Sequence, residues 1–507
     1  MGIQQNEKLN RLINSLSKDE KLQFEKFIKK NELEGSLFSL FIALQKEDNT
    51  TKLGSAYLKR QLYNTLLSFL ETFRSSDPID DRVISLIKRA RVLYESGMYK
   101  ECNEVLEEAQ NIAGKYEMFL KTIEICDIAL SLISKIYTKN IQEQFDKIIV
   151  IKVEALEKYA NQTNYYKFFL QINNFFTQYQ SVKTKENIKA IDDLIAMEIL
   201  QNYSLAKTFY SRYYYFVSHQ LYAVLKGEDA FQIKSDHLQL WEANPQMKEK
   251  APSTYFNILS IYMLGCQQKH LYQEYANSFK SAQKIIASSE NDKINFIYRL
   301  YKHQVDILLK RGELSQLIQL TESTVKKLSP VFQSPVYYSR IYTGMAFSLC
   351  LAYFLGGENK KAAKQIHAFL NTLEVKNEQW QFLFYALKLL QLMVLFELKD
   401  FNLLADMLKS NRMYLQRHHV LSTEALLFIN HLNNVSFSFD KEDVKEKFSE
   451  FKNNLLDKSK QTDVLSTFGF DIFVWIESKI QSIAMEEVFK KKAELEYPEI
   501  FSIEVAF

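Results

Sequence analysis

Only 12 glycines and 6 prolines punctuate a chain of 507 residues. A sheet protein of this length needs turns every few residues, and turns draw heavily on those two types. Their scarcity demands long helices joined by short connections. Hydrophobic residues make up 47% of the chain, enough to build a core and to exclude a disordered polymer. The 29 tyrosines and 37 phenylalanines supply the large rings that fill gaps between packed helices. The expectation is an all-α protein.

The apolar residues recur with helical spacing from the start. Leu9, Leu12, Ile13 and Leu16 share one helix face, at i, i+3, i+4 and i+7. Ser17-Lys18-Asp19-Glu20 has the form of a capping box, with the Ser17 hydroxyl and Glu20 satisfying two orphan N–H groups. Phe24, Phe27 and Ile28 form a second face, Leu37, Leu40, Phe41 and Leu44 a third, and Leu58 to Phe73 a fourth helix. Ser75-Ser76-Asp77-Pro78 ends it, because Pro78 cannot continue a helix and also restricts Asp77. Residues 1–76 are therefore expected to form a small helical module.

The next segment carries the most informative pattern: Leu86, Ala90, Leu93, Gly97, Tyr99, Cys102, Leu106 and Ala109. Gly97 can take the left-handed conformation that closes a helix. Small Ala90 and Cys102 let two axes approach, Tyr99 wedges between them, and Leu106 and Ala109 are placed to stack on a neighbour. Fainter echoes of the spacing follow. Gly312, Leu314 and Leu317 follow Tyr301, Val305 and Leu308. Gly357, Ala362 and Ile366 follow Ala346, Cys350 and Tyr353. Phe401, Leu404 and Leu408 follow Leu392 and Leu395 across Lys399-Asp400, without a turn glycine. Between the echoes, Ile123 to Ile136, Ile141 to Tyr159 and Tyr165 to Tyr179 read as helices. Trp241 to Pro245 and Ala251-Pro252 mark a longer break.

This pattern resembles the tetratricopeptide repeat, whose unit is about 34 residues. The small residue after the turn is Cys102 where the repeat usually has Ala, and the usual closing Pro is replaced by Gly114-Lys115. The whole chain is similar to uncharacterised bacterial tetratricopeptide-like proteins, at Leu16 to Lys21, Trp241 to Pro252 and Trp475 to Ile480. The resemblance implies an α-α superhelix, a solenoid of helical hairpins over residues 80–490, and a C-terminal tail over 491–507. A hairpin of this kind buries its apolar face only against its neighbours.

In the repeat family the first helix of each pair lines a concave groove. That mapping points inward Ile87, Arg91, Tyr94 and Glu95 in the first hairpin, Arg299, Lys302, Asp306 and Lys310 before Gly312, and Phe347, Leu351 and Phe354 before Gly357. The helix from Ile341 to Gly357 carries no charge and is apolar on nearly every face, so it must be covered all round. A tight superhelical turn, the tail from Tyr497 to Phe507, the N-terminal module or a partner could supply the cover.

Catalytic signatures are wanting. No P-loop or H-E-x-x-H pattern occurs. Asp192-Asp193 lacks the third acid of a D-D-x-x-D magnesium motif, and Asp80-Asp81 fails likewise at Ile84. Adjacent acids at a helix start favour the positive end of its dipole. His418, His419 and His431 do not share a face suited to a metal. No cofactor is expected. The aromatic run Phe209 to Phe216 could stack on bases, but consecutive rings point around the whole helix and read as core. Lys18, Lys21, Lys26, Lys29 and Lys30 interleave with five acids, the mark of a solvated face rather than of a recognition helix.

A net charge of +3 exerts no general pull on nucleic acid or acidic membrane. Four scattered cysteines without a C-x-x-C argue for reduced, buried thiols. The polar start lacks the apolar core of a signal peptide. A cytoplasmic protein without a membrane span is expected. The preferred function is a non-enzymatic scaffold holding a protein or peptide in the groove. The alternative is a regulator whose N-terminal module binds nucleic acid or a partner while the solenoid acts as sensor. An all-α hydrolase or transferase would need acids, or a His–nucleophile pair, converging in space.

Overall fold

A computed structural model describes residues 8–10, 12–13, 16, 18–30, 35–45, 55–73, 78–135, 140–179, 185–329, 339–372, 381–417, 421–438, 440–458 and 467–503. Among these residues the secondary structure is helix, with no strand. The chain is all-α and its helices pack largely in consecutive pairs. They divide into two compact units, Met1–Lys269 with Asn277–Lys293, and His270–Ala276 with Ile294–Phe507.

The first unit begins with Lys18–Lys30 (α1), Gly35–Gln45 (α2) and Ala56–Phe73 (α3). They enclose a core of their own, to which Leu9, Ile13 and Leu16 also contribute. Phe24 sits at its centre, edge-on to Phe41 at 4.8 Å and tilted on Phe69 at 5.1 Å. The Ser17 cap and Ser75 to Asp77 lie outside the described residues.

Pro78–Glu95 (α4) and Tyr99–Lys115 (α5) form the next hairpin. Pro78 occupies the first turn, where its missing N–H costs nothing. Gly97 adopts φ +74°. Met98 N–H then reaches the Leu93 carbonyl at 2.9 Å, and Gly97 N–H the Tyr94 carbonyl at 3.1 Å, a Schellman closure. Ala90 and Cys102 are fully buried, and the Cys102 thiol lies 3.2 Å from the Ala90 carbonyl oxygen. Small side chains at these two positions permit that approach. Tyr99 is only half-buried, its ring 5.8 Å from that of Tyr94.

The same turn closes the next helix without a glycine. Glu117 takes φ +50°, and Met118 N–H bonds to the Ala113 carbonyl at 2.8 Å. Met98, Met118 and Glu313 follow their left-handed residues with nearly equal dihedrals, (−84°, 66°), (−89°, 65°) and (−82°, 59°). Gly357 and Lys399 are also left-handed and are spanned by the same pair of hydrogen bonds. The turn geometry thus recurs where the residue type does not.

Phe119–Ile133 (α6) leads into Ile141–Tyr179 (α7), one continuous helix of 39 residues. The sequence reads as two helices here, broken near Asn161 to Asn164. The break does not form because Asn161 finds tertiary partners. Its amide donates to the Leu205 carbonyl at 2.9 Å, and its Oδ1 accepts from Lys207 N–H at 3.1 Å and from the Ser211 hydroxyl at 2.7 Å. α7 packs on α6 and on Phe209–Lys226 (α10), which follows Lys185–Ile195 (α8) and Glu198–Gln201 (α9).

Phe231–Glu242 (α11), Pro245–Lys250 (α12) and Pro252–Gln268 (α13) follow. The expected break between Trp241 and Pro252 is filled by α12, because each proline opens a helix rather than ending one. Buried Trp241 lies 4.9 Å edge-on to Phe209 and 5.9 Å from Tyr255. Some contacts in this unit skip neighbouring hairpins. The Glu117 carboxylate accepts the Phe209 N–H at 2.8 Å, and Lys250 donates to the Tyr116 carbonyl at 3.0 Å. The boundary between the units runs inside Tyr272–Gln283 (α14) and near the start of Glu290–Arg311 (α15).

In the second unit α15 is followed by Leu314–Leu328 (α16), Ser339–Leu355 (α17), Asn359–Thr372 (α18), Gln381–Glu397 (α19) and Phe401–Arg417 (α20). Thr423–Val435 (α21), Lys441–Lys458 (α22), Ile472–Gln481 (α23) and Met485–Glu496 (α24) complete it. From α16 to α24 each helix packs on the next. Trp475 is fully buried among Phe396, Phe428 and Phe448, all within 6.1 Å of its ring. The charge-free part of α17, from Ile341 onward, lies inside this core. Its cover includes the segment leading into α23: Phe470 meets Phe354 at 6.1 Å, and a Cβ on Gly469 would fall 2.7 Å from the Phe347 ring.

The last helix continues past residue 490 to Glu496. The tail then turns in a short 3-10 helix, Pro498–Ser502, and does fold back on its own unit. Its described contacts include Arg311, Lys310, Tyr272 and His270, rather than the Phe347 face that the apolar character suggested.

Candidate groove in the first unit

Behind α4 stands α5, and their shared core takes Val83, Leu86, Ile87 and Ala90. Ile87, placed in the groove by the repeat mapping, is therefore a core residue. The next positions around α4 reach the surface, although Tyr94 also packs against the edge of that core. Arg91, Tyr94 and Glu95 form one wall of an open cavity of about 440 Å³, and the opposite wall comes from α6, through Leu120, Ile123, Glu124, Asp127, Ile128 and Ser131. The α6 residues recur every three or four positions, so they line one side of that helix.

Apolar and charged side chains share these walls. Leu120, on the α6 wall, is 56% exposed, and half-buried Ile123 and Ile128 extend its apolar surface. Arg91 Nη2 meets Glu124 Oε1 at 2.7 Å, and Lys121 approaches the same carboxylate at 3.7 Å. Lys152 of α7 pairs with Asp127. Exposed pairs like these are worth about 0.2–1 kcal/mol each, so they orient side chains more than they stabilise the fold.

The other mapped residues stand elsewhere. On α15, Arg299 and Lys302 are exposed, while Asp306 and Lys310 are half-buried. Burial raises the Asp306 carboxyl against the pull of Lys302 and Lys310. Burial lowers the Lys310 ammonium, against the attraction of Asp306. Lys310 Nζ sits 5.8 Å and 5.6 Å from the ring centres of Tyr272 and Tyr497, so the tail's first aromatic already covers this end of α15. Phe347, Leu351 and Phe354 are buried. They cannot line an open groove, because the segment before α23 closes over that helix.

Two features were missed by sequence reasoning. The α6 wall went unseen because its hairpin turns on Glu117 rather than on a glycine. Arg311 went unseen because nothing local marks an arginine that will be buried. It donates to the Ile500 carbonyl through Nε at 2.9 Å and Nη2 at 2.6 Å, and to the Ile503 carbonyl through Nη2.

Convergent catalytic groups are not found at the motifs singled out. Asp192 is bound by the Tyr222 hydroxyl at 2.8 Å and by Lys226 Nζ at 3.0 Å, which together hold its carboxyl below the usual range. Asp80 and Asp81 lie in the first turn of α4. His431 is stacked 4.4 Å from Phe451 and edge-on to Phe448 at 4.5 Å, where burial pushes its pKa down to about 3. His418 and His419 lie outside the described residues. Among the described residues no group of three His, Cys, Asp or Glu is placed to hold a metal, and no helix is long and apolar enough to cross a membrane. Phe209 and Phe216 of the aromatic run are buried, and Tyr213, Tyr214 and Tyr215 are half-buried against neighbouring rings. Compared with known proteins, the chain matches no protein-family model, no curated protein and no solved structure.

Proposed function

We propose that this chain is a non-enzymatic, tetratricopeptide-like scaffold, working in the cytoplasm, that holds a protein or peptide segment in the groove between α4 and α6. The observation that carries the reading is Leu120, a large apolar side chain left exposed on the wall of a cavity whose charges are mostly paired. Such a surface gains free energy only when a partner covers it, at about 25 cal/mol per Å² of apolar surface removed from water. Four free, buried cysteines suit a reducing compartment. The test compares proteins recovered with wild type and with Leu120→Asp. A partner recovered by wild type alone, with the thermal midpoint unchanged, is the expected result. Identical recovery by both chains would remove the groove from the function.

A further inference from the structure

The α7 surface lies next to the groove wall: the cavity is lined by α4 and α6, and Lys152 of α7 pairs with Asp127 of that lining. Ile141, Phe145 and Leu156, on the α7 face that carries Lys152, are 43%, 42% and 47% exposed, with half-buried Ile149 between them. Together with Lys152 they stand at i, i+4, i+8, i+11 and i+15. That spacing keeps them on one stripe of a 3.6-residue helix. The stripe runs straight for about 22 Å, the length of four helical turns. An apolar seam of this form accepts another helix lying alongside it. An extended peptide would match its side chains to the stripe only intermittently, since strand periodicity is two.

Charge selects the kind of helix. Next to Phe145 and Leu156, on the same side of the stripe, stand Asp146 and Glu157, and Glu95 stands at the groove rim. Arg91 engages Glu124 and Lys152 engages Asp127, but none of Asp146, Glu157 and Glu95 makes an ion pair among the described residues. We infer that the occupant is an amphipathic α-helical segment of a partner, about four turns long, with apolar residues on its inner stripe and lysine or arginine along one flank. This rests on reading the α4–α6 groove as a binding site and deepens it by naming the partner's chemistry. Opposite charges beside a partly desolvated seam set partner choice and orientation, as flanking pairs do in helix–helix recognition.

The probe is a displayed library of 18-residue helical peptides, selected on the immobilised full-length protein. Leucine is fixed at the inner positions, and Lys, Glu, Gln or Ala is allowed at each flank. We expect Lys to be enriched at least tenfold over Glu on one flank. The selected peptides should bind at least tenfold more weakly to the triple variant Glu95→Lys, Asp146→Lys, Glu157→Lys, and to Leu120→Asp. Glu95, Asp146 and Glu157 carry polar, exposed side chains, and circular dichroism confirms that every variant folds. Enrichment of Glu, or no charge preference, would overturn the basic partner while leaving the groove. Equal retention of proline-broken peptides would overturn the helical occupant. Binding indifferent to Leu120→Asp, or no retained peptide at all, would overturn both readings. A dimer in sedimentation that Phe145→Asp dissolves would overturn the proposal by making a second copy the occupant.

Discussion

Arg311 offers the sharpest test of how the second unit is closed. Its guanidinium is 7% exposed as a residue and donates to the carbonyls of Ile500 and Ile503 in the tail. Glu313 is its ion-pair partner, at 3.7 Å. Removing the tail after Glu496 would leave a buried cation with its principal acceptors gone, a loss of about 3–5 kcal/mol. The same truncation exposes the sites of Ile500 and Ile503, both buried, for about 1.5–3 kcal/mol each. Arg311→Met alone should lose roughly 3 kcal/mol, since hydrogen bonds from a charged donor contribute about 1.5–3 kcal/mol. The two changes share one interaction and must not add. Once the tail is gone, Arg311→Met removes a stranded charge and should cost little or even stabilise. A double-mutant cycle by urea unfolding, followed through the fluorescence of buried Trp475, measures the coupling, expected at 2 kcal/mol or more. Additive losses, or a truncated chain as stable as the full one, would refute the view that Arg311 and the tail carbonyls form one buried unit.

Burial pushes His237 and His431 down to about 3 and His303 to about 4, whereas the unfolded chain protonates them near pH 6.5. Their stability contribution is therefore complete above about pH 6.5. It falls by about 1.4 kcal/mol per pH unit for each histidine as pH drops toward 4. His431→Leu should flatten the slope of unfolding free energy by that amount between pH 6 and 4.5, and an unchanged slope would contradict the burial. Glu117 is left-handed and also caps Phe209 N–H. Glu117→Ala keeps the strain and loses the cap, so Glu117→Gly should be more stable than Glu117→Ala by about 1 kcal/mol in thermal unfolding. A fully buried tyrosine at position 99 would lose about 3–5 kcal/mol on truncation. Because Tyr99 is half-buried, Tyr99→Ala should lose only about 1–2 kcal/mol by denaturant titration, and a loss above 3 would mean that the wedge is deeper than described.

Helical class, and the hairpin of α4 and α5, were legible in the residues because their causes are local. Scarce breakers leave no route to a sheet, Gly97 relieves a left-handed turn within its own backbone, and Ala90 and Cys102 meet across a single connection. Gly312 and Gly357 announced their turns for the same reason. Lys399 was legible only through the spacing of its neighbours and Glu117 not at all, since a side chain can occupy the left-handed region when contacts elsewhere offset about 1–2 kcal/mol of strain. At Glu117 a visible contact is the N–H of Phe209, far along the chain. Periodicity tells which stripe of a helix is apolar and is silent about what is pressed against it. Hence Ile87 proved to be core, Leu120 groove, and Phe347 a residue sealed beneath the approach to α23. The continuity of α7 through Asn161 and the burial of Arg311 were likewise decided by partners distant in sequence, because a polar group is settled by whichever donor or acceptor the folded chain brings to it.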